Sequence, residues 1–253
     1  MQISILGCGW LGLPLAISLL QENFSIKGST TSKSKLITLK GLGIEPFLID
    51  LASDKEISLE FLDTDILIIA IPHKEEKDFK NLIRQIEKHG SKQIIFISST
   101  SVYPTLNSIV DENTATLRTP LRIVEELFEK NQNFQTTIIR FGGLFGYDRQ
   151  PGRFFRKRGL VPNPEGFVNL IHRDDCIAIL KKVIYKNIQG EILNACASEH
   201  PTRRAFYSKE IQKQGVLDIA FGDSEQITYK IVSNERLKQL LPYRFKYDIL
   251  MKY

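Results

Sequence analysis

Six residues near the start, Gly7-Cys8-Gly9-Trp10-Leu11-Gly12, space three glycines as GxGxxG between an apolar run and a helical stretch. Inside a βαβ unit that pattern has a chemical meaning, because it closes around the pyrophosphate of a dinucleotide. Gly7 permits the tight turn, Gly9 lets the backbone approach the phosphates, and Gly12 lets the helix pack closely on the strand. The helix start then offers its N–H groups to the anion. Cys8, Trp10 and Leu11 line the turn, with Trp10 equally suited to packing. A strand–turn–helix without any ligand is the rival reading, so the elements around the motif decide its value.

The end of the following strand bears on which dinucleotide it is. An acid there would bind the ribose 2′-hydroxyl of NAD. The chain instead runs Gly28-Ser29-Thr30-Thr31-Ser32-Lys33-Ser34-Lys35, with no carboxylate. Hydroxyls and a lysine at Thr30, Thr31, Ser32 and Lys33 suit a 2′-phosphate, so NADP is expected before NAD. Thr31 or Ser32 would also serve as a helix N-cap. Asp50-Leu51, closing the third strand, is where an adenine contact is expected. Ala70, Ile71, Pro72, Ser98, Phe141 and Gly142, at later strand ends, complete the expected cofactor contacts, since ligands of open α/β sheets sit at the C-terminal ends of strands. His73 stands at the same kind of position.

A second chemical signal is a basic loop, residues 148–159, where Arg149, Arg153, Arg156, Lys157 and Arg158 surround Phe154 and Phe155. Arginines beside aromatic rings can grip a phosphate and stack on a base. Arg153 and Arg156 are therefore the expected contacts to a small anionic substrate. A solvated turn with its phenylalanines in the core would have the same composition. Cys8, Cys176 and Cys196 form neither a CxxC nor a Cys/His cluster, so no metal site is expected and the thiols read as reduced.

Positioning these residues requires strands alternating with helices, the pattern of a parallel sheet built from βαβ units. Strands are expected at 2–6, 25–30, 45–49, 66–71, 93–98, 136–141 and 190–195. Several are almost wholly apolar, as strands covered on both faces must be. Helices are expected at 13–21, with Pro14 in the first turn; at 33–42, stopping at Gly41 or Gly43; and at 77–88, stopping at His89-Gly90. Further helices are expected at 120–131, opening at Pro120, and at 173–185, with Asp174 and Asp175 where the helix dipole favours them. Short helices near 203–214 and 234–241 belong to a smaller mixed lobe.

The fold class is thus α/β, a doubly wound parallel sheet of Rossmann type with a small C-terminal substrate lobe. Residues 1–148 form the expected dinucleotide-binding domain. Residues 149–253 mostly form the lobe, with 166–195 returning to the first domain. The 253 residues, 42% hydrophobic and 25% charged, suffice for one sizeable core. No apolar run approaches the ~20 residues of a membrane span. The first residues read as a strand and not as a secretory leader, and a cytoplasmic protein is expected. The net charge of +5 is interleaved with acids, as on solvated faces. Neither a membrane nor nucleic acid is an expected partner.

Several segments together resemble the extended short-chain dehydrogenase/reductase superfamily, the group of nucleotide-sugar epimerases and dehydratases. Ser98-Ser99-Thr100-Ser101-Val102-Tyr103-Pro104 is similar to its SSxxVYG segment, and Asp111-Glu112 to the acidic pair that follows. Arg140-Phe141-Gly142-Gly143-Leu144-Phe145-Gly146 resembles RxxxxYG, and Asn169-Leu170-Ile171-His172-Arg173-Asp174-Asp175 resembles NxIHxxD. The resemblance implies a Tyr-x-x-x-Lys pair after Pro120, yet Leu121 and Glu125 occupy those positions, and 114–129 holds no tyrosine or lysine. This is similar to the atypical branch of the superfamily, and the short chain with its GCGWLG turn resembles the YeeZ-like group.

The resemblance implies Ser99 at the catalytic serine position. Tyr103 and Glu125 are candidates for the lost acid/base role, Glu125 if desolvated. Arg118 and Arg122 are candidate positive charges. It also implies a homodimer packed on the helix at 120–131, whose apolar stripe would serve equally as core. Two functions follow as expectations. One is an NADP-dependent, epimerase/dehydratase-like oxidoreductase acting on a small anionic substrate, with nucleotide sugars among the candidates, through a non-standard site. The other is a non-catalytic NADP(H)-binding sensor.

Overall fold

Ile3, Ser4, Ile5 and Leu6 of β1 (Gln2–Leu6) and all four residues of β4 (Ile66–Ile69) are buried, as strands covered on both faces must be. The computed structural model describes residues 1–53, 55–89, 93–215, 219–223 and 226–253. Gly90, the expected helix stop, lies outside them. Between β1 and β4 come α1 (Gly12–Leu20), β2 (Ser25–Thr30), α2 (Lys33–Gly41), β3 (Glu45–Leu48) and α3 (Leu59–Leu62). Then follow α4 (Glu76–His89), β5 (Gln93–Ser99), β6 (Ser108–Val110), α5 (Pro120–Glu129) and β7 (Gln135–Phe141). Beyond β8 (Gly143–Phe145), β9 (Leu160–Val161) and β10 (Leu170–His172) lie α6 (Arg173–Tyr185) and β11 (Ile192–Ala195). The chain ends with α7 (Arg203–Lys213), β12 (Ala220–Phe221), β13 (Lys230–Val232) and α8 (Glu235–Leu240).

Seven parallel strands form the main sheet in the order β11-β7-β5-β4-β1-β2-β3. The strand order reverses between β1 and β4, the switch point at which doubly wound sheets bind ligands. The Rossmann-type α/β architecture expected from the sequence is therefore present.

Two compact units are interleaved along the chain. The first comprises Met1–Ser98, Arg118–Ile139 and Leu180–Ile192; the second comprises Ser99–Leu117, Arg140–Ile179 and Leu193–Tyr253. The division falls near the ends of β5 and β7 and within α6. In the first unit, Gly12, Leu15, Ala16 and Leu19 make the buried stripe of α1. Phe79 of α4, Phe96 of β5 and Phe128 of α5 stack with ring centroids 5.1–5.9 Å apart. Pro120 opens α5, and the Thr119 hydroxyl caps it by accepting from Arg122 N at 3.2 Å. Lys27 of β2 is buried because its ammonium donates to the carbonyls of Glu60 and Asp63, at the end of α3.

In the second unit, short parallel pairs β8–β10, β9–β12 and β6–β13 surround a core that includes Phe145, Val161, Phe206 and Leu250. Asp175, buried in the first turn of α6, accepts from the Tyr243 hydroxyl and from the backbone N–H groups of Lys246 (2.7 Å) and Tyr247 (3.0 Å). That carboxylate holds the C-terminal segment in place. No helix among the described residues is long and apolar enough to cross a membrane.

Candidate functional site

A cavity of about 490 Å³ opens over the glycine turn of the first unit. Its wall is made of the C-terminal ends of four adjacent strands. Gly7, Cys8 and Gly9 follow β1, Thr30 and Thr31 close β2, Asp50 and Leu51 follow β3, and Ala70, Ile71 and Pro72 follow β4. All ten were expected as cofactor contacts, and the fold brings them together.

The glycines differ in what they do. Gly7 adopts φ +103°, and a Cβ there would lie 2.5 Å from Ile71 Cγ2 and 2.8 Å from Ala70 O. At Gly12 a Cβ would meet Gly7 O at 2.1 Å, so the helix can approach the turn only with glycine. A Cβ on Gly9 would meet nothing within 4 Å. The exposed face of Gly9 is the open cradle that a pyrophosphate needs, and α1 begins behind it without a side-chain cap. These residues fit a dinucleotide.

Five lining residues were not among the expected cofactor contacts: Leu6, Ser29, Lys35, Ile49 and His73. Ser29 braces the turn, its hydroxyl accepting from Gly7 N at 2.9 Å while its carbonyl accepts from Cys8 N at 2.8 Å. Lys35, two residues after the expected Lys33, is the lysine that reaches the wall. Strand alternation in β2 and helical phase in α2 are the signals that would have found both. His73 is held by Asp78 at 2.7 Å. Burial pushes the Cys8 thiol up to about 12, so it stays protonated and inert.

Trp10, Leu11, Gly12, Ser32, Lys33, Ser98, Phe141 and Gly142 do not line this cavity. Leu11 and Gly12 are buried under the turn. Ser32 takes the N-cap position of α2 without capping it, its hydroxyl lying 2.8 Å from that of Ser34. Phe141 and Gly142 lie in the second unit, where Gly142 N donates to Ala195 O at 2.9 Å.

The positions expected for the Tyr-x-x-x-Lys pair are closed. Leu121 is buried, and Glu125 has no exposed surface. One Glu125 oxygen accepts from the Ser98 hydroxyl, and the other lies 3.3 Å from Arg122 Nη1. Arg122 also pairs with Glu129 at 2.6 Å. Glu125 thus serves a buried polar chain within the first unit. Tyr103 is equally enclosed in the second unit: its hydroxyl accepts from Arg140 at 2.7 Å and donates to Asn194 Oδ1 at 2.9 Å. Burial raises its pKa against the pull of Arg140.

Ser99 has a different setting. It lines a cavity of about 420 Å³ within the second unit, together with Ser101, Asn163, Asn169, Arg203 and Lys230 among others. Its hydroxyl oxygen accepts from Ser101 N at 3.1 Å, which leaves the hydroxyl hydrogen to donate. Arg203 stacks over Phe155 and Tyr207, at 5.3 and 5.6 Å, and donates from Nε to Pro162 O at 2.9 Å. Lys230 donates to the carbonyls of Thr100 (3.0 Å) and Tyr103 (2.6 Å). Among the described residues no carboxylate lines this cavity or pairs with Arg203 or Lys230. The buried Oδ1 of Asn163 has no partner and is left as an acceptor. The expected Arg153 and Arg156 are exposed and line no part of this cavity. The turn Pro162-Asn163-Pro164, with Asn163 at φ +47°, is a signal the sequence carried for it.

The family described as NAD(P)H-binding matches residues 7–182. The chain is 31% identical to the protein YeeZ of Escherichia coli strain K12, with 97% of this chain and 96% of that one aligned. Among solved structures, a functionally unknown conserved protein from Silicibacter pomeroyi superposes with a TM-score of 0.83 at 21% identity, covering 99% of this chain and 95% of that one. MoeE5, solved in complex with UDP-glucose and NAD, superposes with a TM-score of 0.78 at 15% identity, again over 99% and 95%. At such identities the two structures share the fold.

Proposed function

The chain belongs to the NAD(P)H-binding family, in the company of YeeZ, and from that premise we propose an NADP(H)-dependent, epimerase/dehydratase-like enzyme with a non-standard active site, acting on a small anionic substrate. The substrate half rests on one observation: a cavity holding Ser99 carries the Arg203 guanidinium and no carboxylate among the described residues. An anion there would make charge-assisted hydrogen bonds with that guanidinium. The UDP-glucose bound by MoeE5 makes nucleotide sugars the first class to try.

NADP over NAD is supported by the rim of the first cavity, where Thr30, Thr31 and Lys35 stand at the end of β2 and no acid does. The bound nicotinamide would supply a hydride acceptor or donor. The chain's own residues divide the remaining work. Gly7, Gly9 and Gly12 admit the pyrophosphate, Arg203 holds the substrate anion, and Ser99 donates a hydrogen bond to the reacting oxygen.

Titration with NADPH, NADP, NADH and NAD, followed by fluorescence of Trp10 (the single tryptophan) and by melting temperature, tests the cofactor half. The expected result is NADP(H) binding at least about tenfold tighter than NAD(H), about 1.4 kcal/mol. Binding of no dinucleotide overturns it. With the first cavity filled by NADP, inorganic pyrophosphate and UDP test the substrate half: each should then raise the melting temperature of the native protein and not that of Arg203→Met. A second reading, the NADP(H) sensor, draws support from Leu121 and Glu125 being sealed. It predicts NADPH bound with defined affinity and never oxidised across a panel of anionic carbonyl compounds.

A further inference from the structure

The second cavity contains a group that the family resemblance does not supply. Lys230 opens β13, which pairs with β6 through Lys230↔Ser108. Its backbone is clamped from both sides. Asn169 donates to Lys230 O at 2.9 Å and accepts from Val232 N at 2.8 Å, while Asn107 Oδ1 accepts from Tyr229 N at 2.8 Å. The side chain is fixed at its tip as well, by the two carbonyls at the turn after β5. A tetrahedral amine nitrogen has four directions. In Lys230 one is its own carbon and two point to Thr100 O and Tyr103 O. The fourth carries a lone pair in the neutral amine and a third N–H in the ammonium.

Resting on the proposed anionic substrate, we propose that Lys230 is the proton-carrying catalytic residue of this cavity, exchanging a proton with a substrate hydroxyl while Ser99 donates a hydrogen bond to the same oxygen. In the oxidative direction the alcohol O–H bond breaks as the third N–H bond of Lys230 forms. The electron pair left on oxygen becomes the second bond of the carbonyl. A nicotinamide dinucleotide would supply the acceptor for the hydride of the C–H bond, so charge and atoms balance. Burial lowers the pKa of Lys230 and so favours its neutral amine. The other titratable or charged groups lining the cavity are Arg203, Tyr207 and Tyr229, and none supplies a negative charge at neutral pH that would restore the ammonium.

Trace labelling with acetic anhydride tests this without a substrate, since only the neutral amine attacks: an N–C bond forms and acetate and a proton leave. Peptide mass spectrometry across pH 6 to about 11 gives a profile for each lysine, with the exposed ones as internal reference. Lys230 should label at least about tenfold faster than exposed lysines at pH 7, with its profile displaced to lower pH. Inorganic pyrophosphate should suppress that labelling in the native protein and lose this effect in Arg203→Met. A Lys230 profile coinciding with the exposed lysines, or labelling slower than theirs at pH 7, overturns the proposal and leaves Lys230 as a charged tie for the turn. The two ideas fail separately. Fast labelling with no effect of pyrophosphate or UDP on melting removes the anionic substrate, whereas anion binding with slow labelling removes only the proton carrier.

Discussion

Gly9 is the residue where folding and ligand binding separate most cleanly. A side chain at Gly7 or Gly12 collides with backbone, but one at Gly9 meets only open space. Gly9→Val should therefore melt like the native protein without ligand, yet fill the cradle. Overpacking of about 1–3 kcal/mol corresponds to roughly 5- to 150-fold weaker NADPH binding. Trp10 fluorescence measures it, and unchanged affinity would refute the placement of the pyrophosphate. Glu125 separates in the opposite sense. With no exposed surface and bonds to Ser98 and Arg122, it is expected to matter for stability before anything else. Glu125→Ala leaves the buried Ser98 hydroxyl without its acceptor and removes one of the partners of Arg122, and should cost about 1–3 kcal/mol in urea unfolding. Glu125→Lys, which restores the family residue, sets two cations together at the same place. It should be no more stable than the alanine variant.

Elements with a local reason to form were legible. The helix expected at 173–185 is α6 to the residue, because Asp174 and Asp175 mark its start and an apolar stripe runs its length. Strands expected at 66–71 and 45–49 end earlier, at Ile69 and Leu48, where the chain leaves the ladder to line the cavity. The short strands of the second unit gave no signal. Two or three residues hold no period, and β6 pairs with β13 about 120 residues away, a choice no local pattern can announce. Lys230, Asn163 and Arg203 were missed for that reason, since each gains meaning only from distant neighbours. Arg153 and Arg156 drew attention by composition alone.

Two further expectations belong to this scale. Asp175→Ala releases three donors of the C-terminal segment and should lower urea stability by about 3 kcal/mol, with Asp175→Asn intermediate. His172, at the end of β10, stacks on Tyr247 at 3.8 Å, and burial holds its pKa below 6.5. The unfolded chain thus takes up a proton that the fold resists. Stability from this group is complete above about pH 6.5 and is lost as pH falls through the depressed folded value. Melting temperature should decline between about pH 7 and 5, and decline less steeply in His172→Asn. Equal slopes would dismiss the contribution.

At the scale of the whole molecule, the expected α/β sheet and the resemblance to the YeeZ-like group are both borne out. The chain passes from one unit to the other after residues 98, 117, 139, 179 and 192. No single cut separates them, so a fragment ending at 148 should fail to give a cooperative melt, which calorimetry would register. The same threading governs how the protein emerges during synthesis. Residues 1–99 deliver five strands, but β7, the neighbour that completes the sheet beside β5, arrives only when residue 141 has been made. At translation rates of about 5–20 residues per second, that interval is roughly 2–8 s. Throughout it, β5 presents Ile94, Ile95 and Phe96 on an unpaired edge, the kind of surface that recruits a chaperone or another nascent chain.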